Sequence, residues 1–175
     1  LQTLRNGDFK GASNLKNLNL DLNKMQTLNE SSFVGADNLN WLSMSGNGIE
    51  TINKEAYRGL PKLQMLILSQ NKLQQLHRDT FASLSDLQEI LLNSNAFETM
   101  SAGLFDRNAK MKRVWLQNNR LRTIEPQLFE PLTNLVMVNL KDNVCIDEEY
   151  RKQYREIESL NADLTAKCAS GKSTR

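Results

Sequence analysis

Residues 63–81 read LQMLILSQNKLQQLHRDTF, with apolar side chains at Leu63, Leu66, Leu68, Leu73 and Leu76, an amide at Asn71 and a ring at Phe81. Twenty-four residues later the same frame returns as Leu87, Ile90, Leu92, Asn95, Phe97, Met100 and Phe105, and then as Met111, Val114, Leu116, Asn119, Leu121, Ile124 and Phe129. In the other direction it reads Leu39, Leu42, Met44, Asn47, Ile49, Ile52 and Tyr57, preceded by Leu15, Leu18, Leu20, Asn23, Met25, Leu28 and Phe33. A last turn begins with Leu135, Val138, Leu140 and Asn143 and breaks off, while Leu1, Leu4 and Phe9 fill the closing positions of an incomplete first one. A fixed period of this length marks a stacked repeat architecture. An amphipathic helix would show a 3.6-residue period and no such echo.

The period explains the composition. The chain has 175 residues, 28 of them Leu and 20 Asn, together roughly 27%. One repeat cannot bury its apolar face alone, but stacked repeats share a continuous core, so each apolar position becomes an internal ladder. Leu18 and Leu20 alternate with Asn19, the period-2 signature of a strand with one buried face. The six asparagines at 23, 47, 71, 95, 119 and 143 fall where the chain turns inward and backbone groups lose water. An amide offers both donor and acceptor there.

The frame LxxLxLxxNxLxxLxxxxFxxxxx resembles the leucine-rich repeat family, specifically the 24-residue type common in extracellular proteins, from Leu1 to about Asn143. The resemblance implies an α/β repeat solenoid, a curved horseshoe with a parallel concave sheet, an asparagine ladder and an aromatic spine at Phe9, Phe33, Tyr57, Phe81, Phe105 and Phe129. The expected organisation is repeats over 1–143 (one partial, five full, one terminal), a helical cap over 144–168 and a flexible polar tail over 169–175.

Past Asn143 the apolar spacing changes to Ile146, Tyr150, Tyr154, Ile157, Leu160 and Leu164, which predicts an amphipathic helix with Asp147 as N-cap. Cys145 and Cys168 bracket this segment. A bridge between them would staple the lid to the last repeat; two reduced thiols, or a bond to another chain, are the alternatives. The segment is similar to the two-cysteine cap of secreted insect leucine-rich repeat proteins, including relatives of the immune type, although residues 1–175 do not show the coiled coil that follows the repeats there. An oxidised pair implies an extracellular protein, secreted or at the cell surface. In that setting Asn29-Glu30-Ser31 is an N-glycosylation acceptor on an outer loop.

Several function classes lose support. The formal net charge is +2 with 24% charged residues, without a basic stripe for nucleic acid. His77 is the sole histidine, which rules out His-rich metal sites within one chain, and no glycine-rich phosphate loop is present. We therefore expect no enzyme, cofactor or metal. Apolar runs such as Met65 to Leu68 are far too short for a membrane span, and the chain opens on Leu1 without a leader, so upstream repeats or a cap are expected in a parent protein.

Function is expected on the concave face, where non-template strand positions point to solvent. One column reads Asn17, Trp41, Met65, Glu89, Arg113 and Met137; the next reads Asn19, Ser43, Ile67, Leu91, Trp115 and Asn139. A solvent face should be polar, yet these columns hold two Trp, Met, Ile and Leu, the makeup of a binding hot spot. The predicted partner site comprises Trp41, Met65, Ile67, Glu89, Leu91, Arg113, Trp115, Met137 and Asn139, for a protein or peptide ligand in innate immunity or adhesion. The competing expectation is a structural solenoid that assembles with itself or within a larger complex.

Overall fold

The computed structural model describes residues 1–152 and 157–169. Its strands are β1 (Asn17–Asn19), β2 (Thr27–Leu28), β3 (Trp41–Ser43), β4 (Thr51–Ile52), β5 (Met65–Ile67), β6 (Glu89–Leu91), β7 (Thr99–Met100), β8 (Arg113–Trp115), β9 (Thr123–Ile124), β10 (Met137–Asn139) and β11 (Glu149–Arg151), followed by helix α1 (Leu160–Lys167). Seven of them form one sheet in the order β1-β3-β5-β6-β8-β10-β11, and on the outer side β2 pairs with β4 and β7 with β9. From β1 to β10 the main sheet is parallel and in strict repeat register, as in Leu42↔Leu66 and Leu66↔Ile90. The chain is a parallel-sheet solenoid with a single C-terminal helix.

Register follows from burial. Leu42, Leu66, Ile90, Val114 and Val138 are fully buried, so a one-residue slip of any strand would turn its core residue to solvent. Across the molecule the rings of Phe9, Phe33, Tyr57, Phe81, Phe105 and Phe129 follow one another at centroid distances of 5.7, 6.0, 6.0, 6.1 and 6.5 Å. Strands repeat at about 4.8 Å. The wider outer spacing curves the stack with its strands on the inside. The spine has one polar member: burial pushes the Tyr57 phenol far above its ordinary range, and its hydroxyl has no hydrogen-bond partner.

The asparagines form the expected ladder. Asn71 Nδ2 donates to the carbonyls of Met44 and Leu68 at 3.0 Å each, while its Oδ1 accepts from the backbone of Asn47, Gly48 and Ile49 at 3.2, 3.0 and 2.9 Å. Asn95, Asn119 and Asn143 repeat the donor half one, two and three turns on, each Oδ1 accepting one backbone N–H, from Leu73, Phe97 and Leu121. The residue before each ladder asparagine is left-handed, with φ of 55° at Leu22, 65° at Gly46, 55° at Gln70, 57° at Ser94, 56° at Asn118 and 54° at Asp142. Only one of the six is glycine; the ladder hydrogen bonds hold the other five in a conformation that side chains disfavour.

The cap departs from the expected continuous helix. Glu149–Arg151 is a strand, antiparallel to β10 with Val138↔Tyr150 in register, and it covers the free edge that the last parallel strand would otherwise present. Asp147 is no N-cap; its carboxylate accepts from the backbone N–H of Asp142 at 2.9 Å, within the turn that reverses the chain. Tyr150 is buried and its hydroxyl donates to Asp163 at 2.7 Å, tying β11 to α1. Helix α1 is two turns long and buries Leu160 and Leu164, as the spacing predicted. Tyr154 of the predicted helix and residues 170–175 of the predicted tail lie outside the described residues. Cys145 and Cys168 are disulfide-bonded, with Cα atoms 5.2 Å apart, and the carbonyl of Cys168 accepts from Ile124 N–H at 3.2 Å.

Candidate functional site on the concave sheet

The register sets two columns of outward side chains side by side. Trp41, Met65, Glu89 and Arg113 are successive cross-strand partners, as are Ser43, Ile67, Leu91 and Trp115. Ile67, Leu91 and Trp115 thus make an uninterrupted apolar column over β5, β6 and β8, each half-buried, with Met65 beside Ile67 on the same strand. Trp41 stands apart from the column, because its strand neighbour Ser43 is buried and donates its hydroxyl to Asp21.

Glu89 organises the centre. Its Oε1 accepts from Trp115 Nε1 at 2.9 Å and its Oε2 faces Arg113 Nη1 at 3.3 Å. One carboxylate therefore holds both the indole and the guanidinium against the sheet. The side chain of Glu89 is only 17% exposed while that of Arg113 is 48% exposed, so the anion lies beneath and the cation faces outward. With one partner half-exposed, the ion pair adds little to stability; its effect is to orient an aromatic and a cation, two side chains suited to anchoring a partner.

Two predicted positions leave the accessible face. Met137 is 5% and Asn139 7% exposed, because the antiparallel β11 lies directly beside them, with Met137↔Arg151 and Asn139↔Glu149 in register. In their place the cap strand puts its own residues on the sheet. Arg151 is exposed and paired with Glu149, whose side chain is 16% exposed. Lys152, also exposed, donates its backbone N–H to Val136 at 3.1 Å. Arg151 and Lys152 were not legible as surface residues, since the 24-residue frame ends before them. Along the opposite edge runs a polar line that sequence reading also missed: Ser45 Oγ donates to the carbonyl of Ser69 at 3.0 Å, and Ser69 Oγ to Asn93 Oδ1 at 2.7 Å.

Elsewhere the surface offers less. Asn29 is exposed on the turn after β2, and its carbonyl accepts from Ser32 Oγ at 2.8 Å. His77 lies on an outer flank, where Ile52 and Leu76 line an open cleft of about 560 Å³ between the two short ladders. Its Nδ1 accepts the N–H of Asp79 at 3.1 Å, an arrangement local to one turn. Among the described residues no group of three or more His, Cys, Asp or Glu converges for a metal, and no helix is long and apolar enough to cross a membrane.

With this geometry in place, comparison with known proteins gives the class. The chain belongs to the leucine-rich repeat proteins: the family model described as BspA type leucine rich repeat region matches residues 2–136 and 50–165, with six copies. Among solved structures, the crystal structure of a TLR13-ssRNA13 complex matches with a TM-score of 0.79 and 30% identity, covering 82% of this chain and 20% of that one. The crystal structure of the APL1 leucine-rich repeat domain matches with a TM-score of 0.64 and 24% identity, covering 69% of this chain and 32% of that one, a likeness of fold. The chain spans a third or less of either. No curated protein matches it.

Proposed function

We propose that this chain is the ligand-binding part of a non-enzymatic extracellular protein, secreted or displayed at the cell surface, that takes a protein or peptide partner on its concave sheet. The observation that carries the reading is the apolar column Ile67, Leu91 and Trp115, in register on three adjacent strands, with Met65 beside Ile67 and Trp41 one strand further on the same face. Desolvating such a column inside a polar rim is how protein interfaces gain most of their affinity. The disulfide supports an oxidising compartment. There Asn29, exposed within its Asn-Glu-Ser triplet, is a glycan acceptor that leaves the concave face open. Innate immunity is the setting we favour, from the similarity of the two-cysteine cap to secreted insect immune-type proteins.

The test is capture of a partner from native extracellular fluid by the wild-type chain and by a Trp41→Ser, Ile67→Ser, Trp115→Ser variant. The triple variant is expected to unfold cooperatively, at a midpoint lowered only modestly by the loss of three half-buried side chains, and to lose capture. Undiminished capture by the variant refutes the concave-face assignment. TLR13 was crystallised with an ssRNA, so a single-stranded RNA belongs in the same assay as a competitor. Sedimentation of the purified chain addresses self-assembly, which predicts association that grows with concentration.

A further inference from the structure

Resting on the concave-face reading, we infer that the partner presents a short apolar segment followed by acidic side chains, and that the acidic part is received by a cationic platform built jointly by the penultimate repeat and the cap strand. Four cations occupy neighbouring backbone positions there. Arg113 and Arg151 flank Met137 as its cross-strand partners on either side. Lys112 and Lys152 flank Val136 in the same way: Val136 N–H donates to the carbonyl of Lys112 at 2.8 Å, and Lys152 N–H to that of Val136 at 3.1 Å. All four are exposed.

Among the described residues, the acids paired with these cations do not cancel the platform for an incoming ligand. Glu89 and Glu149, the partners of Arg113 and Arg151, have side chains only 17% and 16% exposed, while the two arginine side chains are 48% and 51% exposed. In both pairs the carboxylate forms the floor and the guanidinium the surface. Lys112 Nζ is held at 2.8 Å by Gln88, a neutral amide that leaves its charge uncompensated.

Order along the sheet sets the order in the ligand. The apolar column occupies β5, β6 and β8, and the cations lie in and beside the neighbouring column of Arg113 and Arg151, two residues across, on either side of β10. A segment crossing diagonally from Ile67 to Arg151 covers four strand spacings, about 19 Å at roughly 4.8 Å each, and about two residues sideways, still the span of about six extended residues. The segment that fits has about three apolar residues and then about three acidic ones. An acidic peptide is favoured over RNA, because Ile67 and Leu91 offer no ring for base stacking and the two indoles, Trp41 on β3 and Trp115 on β8, stand three strand spacings apart, too far to stack successive bases.

The test uses fluorescence anisotropy with three probes: a fluorescein-labelled peptide carrying Leu-Ile-Leu followed by Glu-Asp-Glu, the same peptide with Gln-Asn-Gln, and labelled oligouridylate. The acidic peptide is expected to bind at least tenfold more tightly than the amide peptide, with affinity falling several-fold as salt is raised from about 50 to 300 mM. Lys112→Glu with Lys152→Glu should abolish that preference without moving the unfolding midpoint, and the Lys→Gln pair should fall between. Equal binding of the two peptides, or a preference unchanged by charge reversal, overturns the cationic platform while leaving the apolar column to be judged by Trp115→Ser, which must weaken both peptides. Tight oligouridylate binding with no peptide binding overturns the inference in favour of RNA.

Discussion

Asn71 is the most heavily committed residue of the stack, and its replacement by alanine sets the energetic scale of the ladder. Its amide accepts three backbone N–H groups, from Asn47, Gly48 and Ile49, and donates to the carbonyls of Met44, Leu68 and Ser69. These losses are unequal. Met44 O keeps a second donor in Asn47 and Leu68 O keeps one in Asn95, so removal of Asn71 leaves both carbonyls paired. The three N–H groups have no such substitute in the ladder, and Asn47 and Ile49 are buried. A buried donor left unpaired costs about 1–3 kcal/mol, so Asn71→Ala is expected to destabilise by about 4 kcal/mol, a large part of the roughly 5–15 kcal/mol of a whole domain. Asn95→Ala is the internal control. There Oδ1 accepts one backbone N–H, from Leu73, and Leu68 O and Leu92 O keep Asn71 and Asn119 as donors. It should cost about 1 kcal/mol. Guanidinium unfolding followed by circular dichroism, with the disulfide intact, measures both. Equal losses for the two variants, or a loss under about 1 kcal/mol for Asn71→Ala, would refute the argument that ladder strength comes from orphaned N–H groups.

Other outcomes follow from single contacts. Tyr57→Phe removes a buried hydroxyl without a partner and completes an all-phenylalanine stretch of the spine, so it should stabilise by about 1 kcal/mol and raise Tm by a few degrees. The same phenol sets a pH dependence. Its folded pKa is raised, so its contribution is fully present below the unfolded value near 10 and is lost above it, where only the unfolded chain ionises; the wild type should then lose up to about 1.4 kcal/mol per pH unit relative to Tyr57→Phe in urea melts. Reducing the Cys145–Cys168 bond, or replacing both cysteines by serine, should cost about 3 kcal/mol and speed amide exchange in β11 before the rest of the sheet. Glu89→Gln keeps an acceptor for Trp115 but not the charge facing Arg113, so it should preserve the indole fluorescence maximum, whereas Glu89→Ala should shift it.

Nearly all of the solenoid is legible in the sequence, because every ladder repeats one burial requirement at one spacing. Leu66, Asn71 and Phe81 each have five counterparts at 24-residue steps, and one answer satisfies all of them. The left-handed residue before each ladder asparagine is not legible, since Gly46 alone carries the usual glycine signal. The cap departs from the helix its spacing predicts for a physical reason. Ile146, Tyr150 and Leu160 are spaced as on a helix, but the open edge of β10 offers hydrogen bonds that an isolated helix forgoes, so Glu149–Arg151 pairs as a strand. That one change buries Met137 and Asn139 and brings Arg151 and Lys152 to the concave surface. The apolar column was legible because strict register makes neighbours of residues 24 apart; the Glu89 contact to Trp115 was not, because it runs diagonally between columns.

Hydroxyl-radical footprinting tests the concave-face claim most directly, because Trp, Met, Leu and Ile react readily and supply both probes and controls. On adding a captured partner, oxidation of Met65, Leu91 and Trp115 should fall several-fold, while Leu22 and Val144, which are 82% and 57% exposed, stay unchanged. Protection of Leu22 or Val144 with Trp115 still fully reactive would contradict it.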